Sequence, residues 1–150
     1  MATITDNSTV LAQAIMAKIV ANQQTLKVRD VLYGEQIMIP RSPTVVVLLG
    51  TKTRILAGVS APGGRTENDM TVLIDIHSMK VGDEATERLA MDQLAESVEK
   101  LLHADTQMGG LLIHGFVTEY IPGETVLQNG EFRTVRLTYI GRSKTYLTVP

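Results

Sequence analysis

Between Thr71 and Met79, and again between Phe132 and Ile140, apolar residues recur at every second position, a period that commits the chain to strands with one buried face. In the first stretch Val72, Ile74 and Ile76 share a face, with Leu73, Asp75 and His77 on the other. In the second, Arg133, Val135, Leu137 and Tyr139 alternate against Thr134, Arg136 and Thr138. A helix supplies the covering layer. Met91, Leu94, Ala95, Val98, Leu101 and Leu102 mark an apolar stripe within Asp83 to His103. Asp83, Glu84 and Glu87 stand where the helix dipole favours negative charge, and Lys100 and His103 where it favours positive.

A second amphipathic helix is predicted over Ser8 to Gln24, with Leu11, Ala12, Ile15, Met16, Ile19 and Val20 on one stripe and Asp6, Asn7 or Ser8 as N-cap. Thr25 to Pro43, broken by Gly34, Pro40 and Pro43, reads as a connector with short extended pieces. Thr44 to Leu49 and Arg54 to Val59 read as a hairpin around Gly50-Thr-Lys-Thr53. Ser60 to Asp69 reads as an exposed loop. After Gly109-Gly110, a strand over Leu111 to Ile121 is expected to turn at Pro122-Gly123, and Asn129-Gly130 signals a hairpin into the last strand. The simplest closed arrangement is α+β: a single mostly antiparallel sheet with two helices packed on one face. The expected organisation is one domain over 1–150, with a flexible N-terminus over 1–7, the exposed loop over 60–69 and a tail over 141–150.

At 150 residues and 44% hydrophobic, the chain is long enough for its own core. It has no Cys, which excludes disulfides, thiolate zinc sites and cysteine nucleophiles. Fourteen Lys plus Arg against sixteen Asp plus Glu give a net charge of −2, unlike a dedicated nucleic-acid binder. The longest apolar run, Val45 to Leu49, is strand-sized, so no membrane span is expected.

Catalytic motifs fail in turn. Gly50-Thr-Lys-Thr53 lacks the Gly-Lys-Ser/Thr order and the earlier Gly of a phosphate loop, and Pro62-Gly63-Gly64 does not open a helix. Ser60, Ser78, Ser97 and Ser143 lie outside any nucleophile elbow. Asp75 and His77 share a strand face, and His103 or His114 could join them at a metal, but the spacing offers no tight cluster. No catalytic residue, cofactor or metal is therefore expected, and Asp75 and His77 are read as a solvated strand face. Glu84, Glu87, Asp92, Glu96 and Glu99 make the second helix acidic, whereas Lys52, Arg54, Arg65, Arg133, Arg136, Arg142 and Lys144 cluster elsewhere. Separated charge of this kind suits head-to-tail association. Arg65, Glu67 and Asp69 in the loop, with Arg133 and Arg136 on the last strand, are the residues expected at a subunit or partner interface.

The chain resembles the tail terminator, or tail-completion, proteins of long-tailed bacteriophages. The resemblance rests on an N-terminal helix and a proline-marked connector into Pro43-Thr-Val-Val-Val-Leu-Leu49. It continues through a long loop, the strand Met70-Thr-Val-Leu-Ile-Asp-Ile-His77, the acidic helix ending Glu99-Lys-Leu-Leu-His103, and the closing Phe132-Arg-Thr-Val-Arg-Leu-Thr-Tyr139 after a hairpin. It implies a virion structural protein without a catalytic site: a homo-hexameric ring at the head-proximal end of the tail, made in the host cytoplasm. Its partners would be the tail tube protein and the head or neck connector, with DNA passing through the lumen unread. Head–tail connector and neck proteins are the near alternative. Outside the virion, a small-molecule binding or regulatory α+β domain and an enzyme built on Asp75, His77 and His114 are the competing readings.

Overall fold

The computed structural model describes residues 8–57 and 65–146. A first helix, α1 (Ser8–Ala21), runs into a one-turn α2 (Gln23–Leu26), which Lys27 closes in the left-handed conformation. The strands are β1 (Asp30–Tyr33), β2 (Thr44–Ala57), β3 (Arg65–Met79), β4 (His114–Leu127) and β5 (Gly130–Tyr146), with α3 (Glu84–His103) between β3 and β4. They form one sheet in the order β1-β2-β3-β5-β4, antiparallel except for the β1–β2 pair. The expected α+β class holds.

Both long helices cover the same face, α1 over β1, β2 and β3, α3 over β3, β5 and β4. Between the layers lie Leu11, Ile15 and Ile19 of α1, Met91, Val98 and Leu102 of α3, and the even positions Val72, Ile74 and Ile76 of β3. Val135, Leu137 and Tyr139 of β5 complete it. These are the residues the two periodicities select. The Asp83 carboxylate accepts from the Thr86 backbone N–H at 3.0 Å, which fixes where α3 begins.

Besides α1 ending at Ala21 instead of Gln24 and β4 starting at His114 instead of Leu111, four boundaries differ from the sequence expectation, each for a local reason. Gly50 is not a turn: β2 runs straight through it with a shift in register between Leu49 and Lys52. A Cβ at Gly50 would come within 2.8 Å of the Thr71 side chain, so the glycine serves a bulge. Pro122-Gly123 is not a turn either, and β4 continues to Leu127. β4 is an edge strand, where a residue without an N–H is tolerated. Arg65 to Asp69, expected in a loop, opens β3 because cross-strand partners replace apolar burial there, with Asp69 opposite Arg142. The expected tail is a strand as far as Tyr146, paired to β3. Residues 1–7, 58–64 and 147–150, among them the end of the expected second hairpin strand and the first part of the expected loop, lie outside the described residues.

The connector also does more than link. Asp30–Tyr33 adds a fifth, parallel strand to the sheet border. Beyond it, Ile39 packs on Val46 and Phe132 across the face the helices leave open. The Asn129 amide accepts from the Ile39 N–H at 3.2 Å and donates to its carbonyl at 2.6 Å, and the Gln128 N–H reaches the Ile37 carbonyl at 2.9 Å. The connector is thus tied to the β4–β5 turn.

Backbone and side chains approach closest at Gly115, where an added Cβ would collide with the Tyr139 ring and come within 2.8 Å of Leu112. Gly115→Ala is expected to lower the unfolding free energy by about 1–3 kcal/mol in urea titrations, with the slope unchanged.

Candidate functional site

Alternation along β3 and β5 sorts the charged side chains onto two faces. On the helix face, Arg133 stands at the end of the Val135-Leu137-Tyr139 row and meets the first turns of α3. Its guanidinium donates to Glu84 at 2.7 and 2.5 Å and pairs with Glu87. Arg133 is only 4% exposed. Its charge is spent within the chain, fastening the start of α3 to the sheet.

On the open face two bidentate pairs bridge β3 and β5. Arg136 sits directly opposite Asp75 and donates to both carboxylate oxygens at 2.7 and 2.8 Å. Six residues along, Arg142 binds Asp69 in the same way at 2.8 and 3.0 Å, with Glu67 at 4.0 Å. The hydrogen bonds from Arg142 hold the Asp69 carboxyl below the usual carboxylate range, with the charges of Arg142 and His114 adding to the effect. Asp75 is 9% exposed, so the expected solvated face is in part a buried one. The Asp75 and Arg136 side chains, with His77, Ile121, Gly123 and Thr134, line a cleft of about 300 Å³.

Of the interface residues expected from sequence, Glu67, Asp69 and Arg136 fall on or beside the β3–β5 ladder, and Arg133 lies beneath α3. The backbone of Arg65 opens β3, while its side chain lies outside the described residues. The histidines do not converge. His77 sits edge-on to Phe132, ring centres 6.3 Å apart, and His114 lies beside Phe116 at the far end of β4. His114 pairs with Arg142 and His77 with Thr134, eight positions away on β5, so at about 3.4 Å per residue the rings lie far apart. His103 accepts the Val117 N–H at 2.9 Å. Among the described residues no group of three or more His, Cys, Asp or Glu could hold a metal ion, and no helix is long and apolar enough to cross a membrane.

Sequence reasoning missed the two borders of the sheet. One is β1 beside α1 and α2, with Lys27, Arg29 and Tyr33 exposed. The other is the fourteen-residue edge strand β4 beside α3, which exposes Phe116, Tyr120 and Ile121. Tyr120 donates to Asp92 of α3, and burial together with that carboxylate pushes its hydroxyl pKa well up. The signal was present in Phe116-Val117 and Tyr120-Ile121: adjacent apolar residues point to both sides of a strand. The chain matches no family model and no curated protein.

Two outcomes follow for stability. Replacing Arg133 with Met strands the largely buried Glu87 carboxylate, so Arg133→Met should cost about 3 kcal/mol in denaturant unfolding. The same change at Arg142, whose pairs face solvent, should cost clearly less. Burial also lowers the His77 pKa from 6.5, with the Asp75 charge opposing and Arg136 assisting. Because the unfolded state takes up that proton first, stability should be full above pH 6.5 and fall as pH drops below it. Unfolding measured from about pH 7.5 to 5.5 should show that loss in the wild type and a flatter profile in His77→Gln.

Proposed function

We propose that this chain is a structural protein of a virus tail: a ring-forming tail terminator, six copies of which cap the tail tube and join it to the head or neck. DNA passes through the lumen without being read, and the chain performs no catalysis. The observation that carries this reading is the inequality of the sheet's two borders. One ends in the four-residue β1 under α1, the other in the fourteen-residue β4 under α3. A unit with unlike flanks associates flank to opposite flank, and such heterologous contacts generate a ring when the rotation closes. An edge strand with Phe116, Tyr120 and Ile121 exposed is a surface that proteins ordinarily cover. The element order it shares with tail terminators supplies the virion context.

The test is solution mass by light scattering across a concentration series, with negative-stain images of the same sample. Six copies of the 16.4 kDa chain around a central hole are expected. A monomer at every concentration, with a melting point raised by a nucleotide or metabolite panel, would overturn the reading in favour of a ligand-binding domain.

A further inference from the structure

We infer that the basic α1–β1 flank of one copy docks against the acidic α3–β4 flank of the next. The inference takes the ring from the reading above and assigns the surfaces that build it.

The first flank carries a groove between the end of α1, α2 and the start of β1, lined by Val20, Ala21, Gln24, Lys27, Val28 and Arg29. Val20 is 52% exposed at its edge. The outward stripe of α1, from Val10 through Gln13 and Ala17 to Val20, bears no charge, and Gln24 of α2 continues it. A helix surface without charge is unusual against solvent and usual at the centre of an interface. Lys27 and Arg29 are exposed, and neither side chain has an ion-pair partner among the described residues.

The second flank is of opposite sign. Asp92, Glu96 and Glu99 project from α3 on the side facing β4, and Glu119 projects from β4 itself. By register Tyr120 lies on the helix face of β4, opposite Leu137, while Phe116 and Glu119 lie on the open face, opposite Ile140 and Thr138. Tyr120 and Phe116 are 40% and 44% exposed. Arg88, the basic residue nearest the start of this ridge, is turned inward onto the carbonyls of Gly123 and Thr134 at 3.2 Å. Lys100 and His103 stand beside Glu96 and Glu99 on α3, so the flank is acidic on balance, four carboxylates outnumbering them, with exposed aromatic rings at both faces of its edge strand.

These surfaces lie at opposite borders of one sheet, so no copy can satisfy them within itself. A twofold contact of either flank with its own kind would set Lys27 and Arg29, or Glu96 and Glu119, against like charges. Docking flank to opposite flank instead pairs each sign with its complement. The carboxylates offer acceptors for the guanidinium of Arg29, and Val20 meets the exposed ring of Tyr120 on the helix side of β4.

The test uses three variants of the full chain, all at exposed positions where the fold should be little disturbed, with far-UV circular dichroism and melting as checks. Lys27→Glu with Arg29→Glu reverses the first flank, Glu96→Lys with Glu119→Lys reverses the second, and a quadruple variant combines them. Each double variant is expected to raise the concentration at half assembly by about tenfold or more, and the quadruple variant to restore assembly. Restoration separates complementary charge from mere structural damage. Wild-type rings that both double variants form equally well would overturn the inference and leave the ring reading standing. Open chains instead of rings, abolished by either double variant, would support these surfaces and remove the ring. A wild type that never assembles would overturn both.

Discussion

The ladder between β3 and β5 is the joint on which the rest of the molecule depends. It runs unbroken from Arg65 opposite Tyr146 to Met79 opposite Phe132. Because side chains alternate with a strict period of two, a slip of one residue would turn Val72, Ile74 and Ile76 out of the core and Asp75 into it. The ladder is pinned on both faces. Beneath the helices the apolar rows of the two strands meet, and on the open face the Asp75–Arg136 and Asp69–Arg142 pairs lie directly across from each other. With that register set, Arg133 falls under the start of α3, and the Glu84 and Glu87 carboxylates secure the helix to it. The placement of α3 in turn decides how β4 is presented. His103 takes the Val117 N–H, Asp92 the Tyr120 hydroxyl, and Arg88 the Gly123 carbonyl, so helix and edge strand form one continuous flank.

This explains why the charges of the chain divide as they do. Of the strand-borne arginines singled out by sequence, those whose side chains are described are occupied within the molecule: Arg133 below α3, Arg136 and Arg142 across the ladder. Among the described residues, Lys27 and Arg29 at one border and Glu96 and Glu119 at the other are exposed charges outside these pairs, and they are the ones the proposed docking uses. A net charge of −2 conceals this arrangement, since it averages over flanks of opposite sign. Asymmetry between the borders, more than any single group, is what the proposed ring requires.

Much of the fold was legible because it is written in period. The alternation in Val72-Leu73-Ile74-Asp75-Ile76-His77 and in Arg133 to Tyr139 gives the two central strands and their inner face, and Asp83 marks the start of α3. The same alternation put Arg133 on the apolar row, so its burial could have been read from sequence. What period could not convey was continuity and tertiary cover. Gly50 and Pro122-Gly123 carry the composition of turns, yet one serves a bulge against Thr71 and the other an edge with no partner to lose. Asp30–Tyr33 is too short for a pattern of its own and becomes a strand only beside β2. Asp75 is buried although it alternates outward, since Arg136 lies bidentate across it on the open face. The flanks escaped notice for a related reason: their residues come from segments far apart in sequence and gather only once the sheet order exists.

The most direct measurement exploits the absence of cysteine from the chain. Gln24→Cys places a thiol on the first flank and Glu96→Cys one on the second. Under mild oxidation the double variant is predicted to form a ladder of disulfide-linked species on non-reducing gels, while each single variant stays a monomer. Disulfide-linked dimers from either single variant, with no ladder from the double, would mean that like flanks meet like, and would contradict the head-to-tail account.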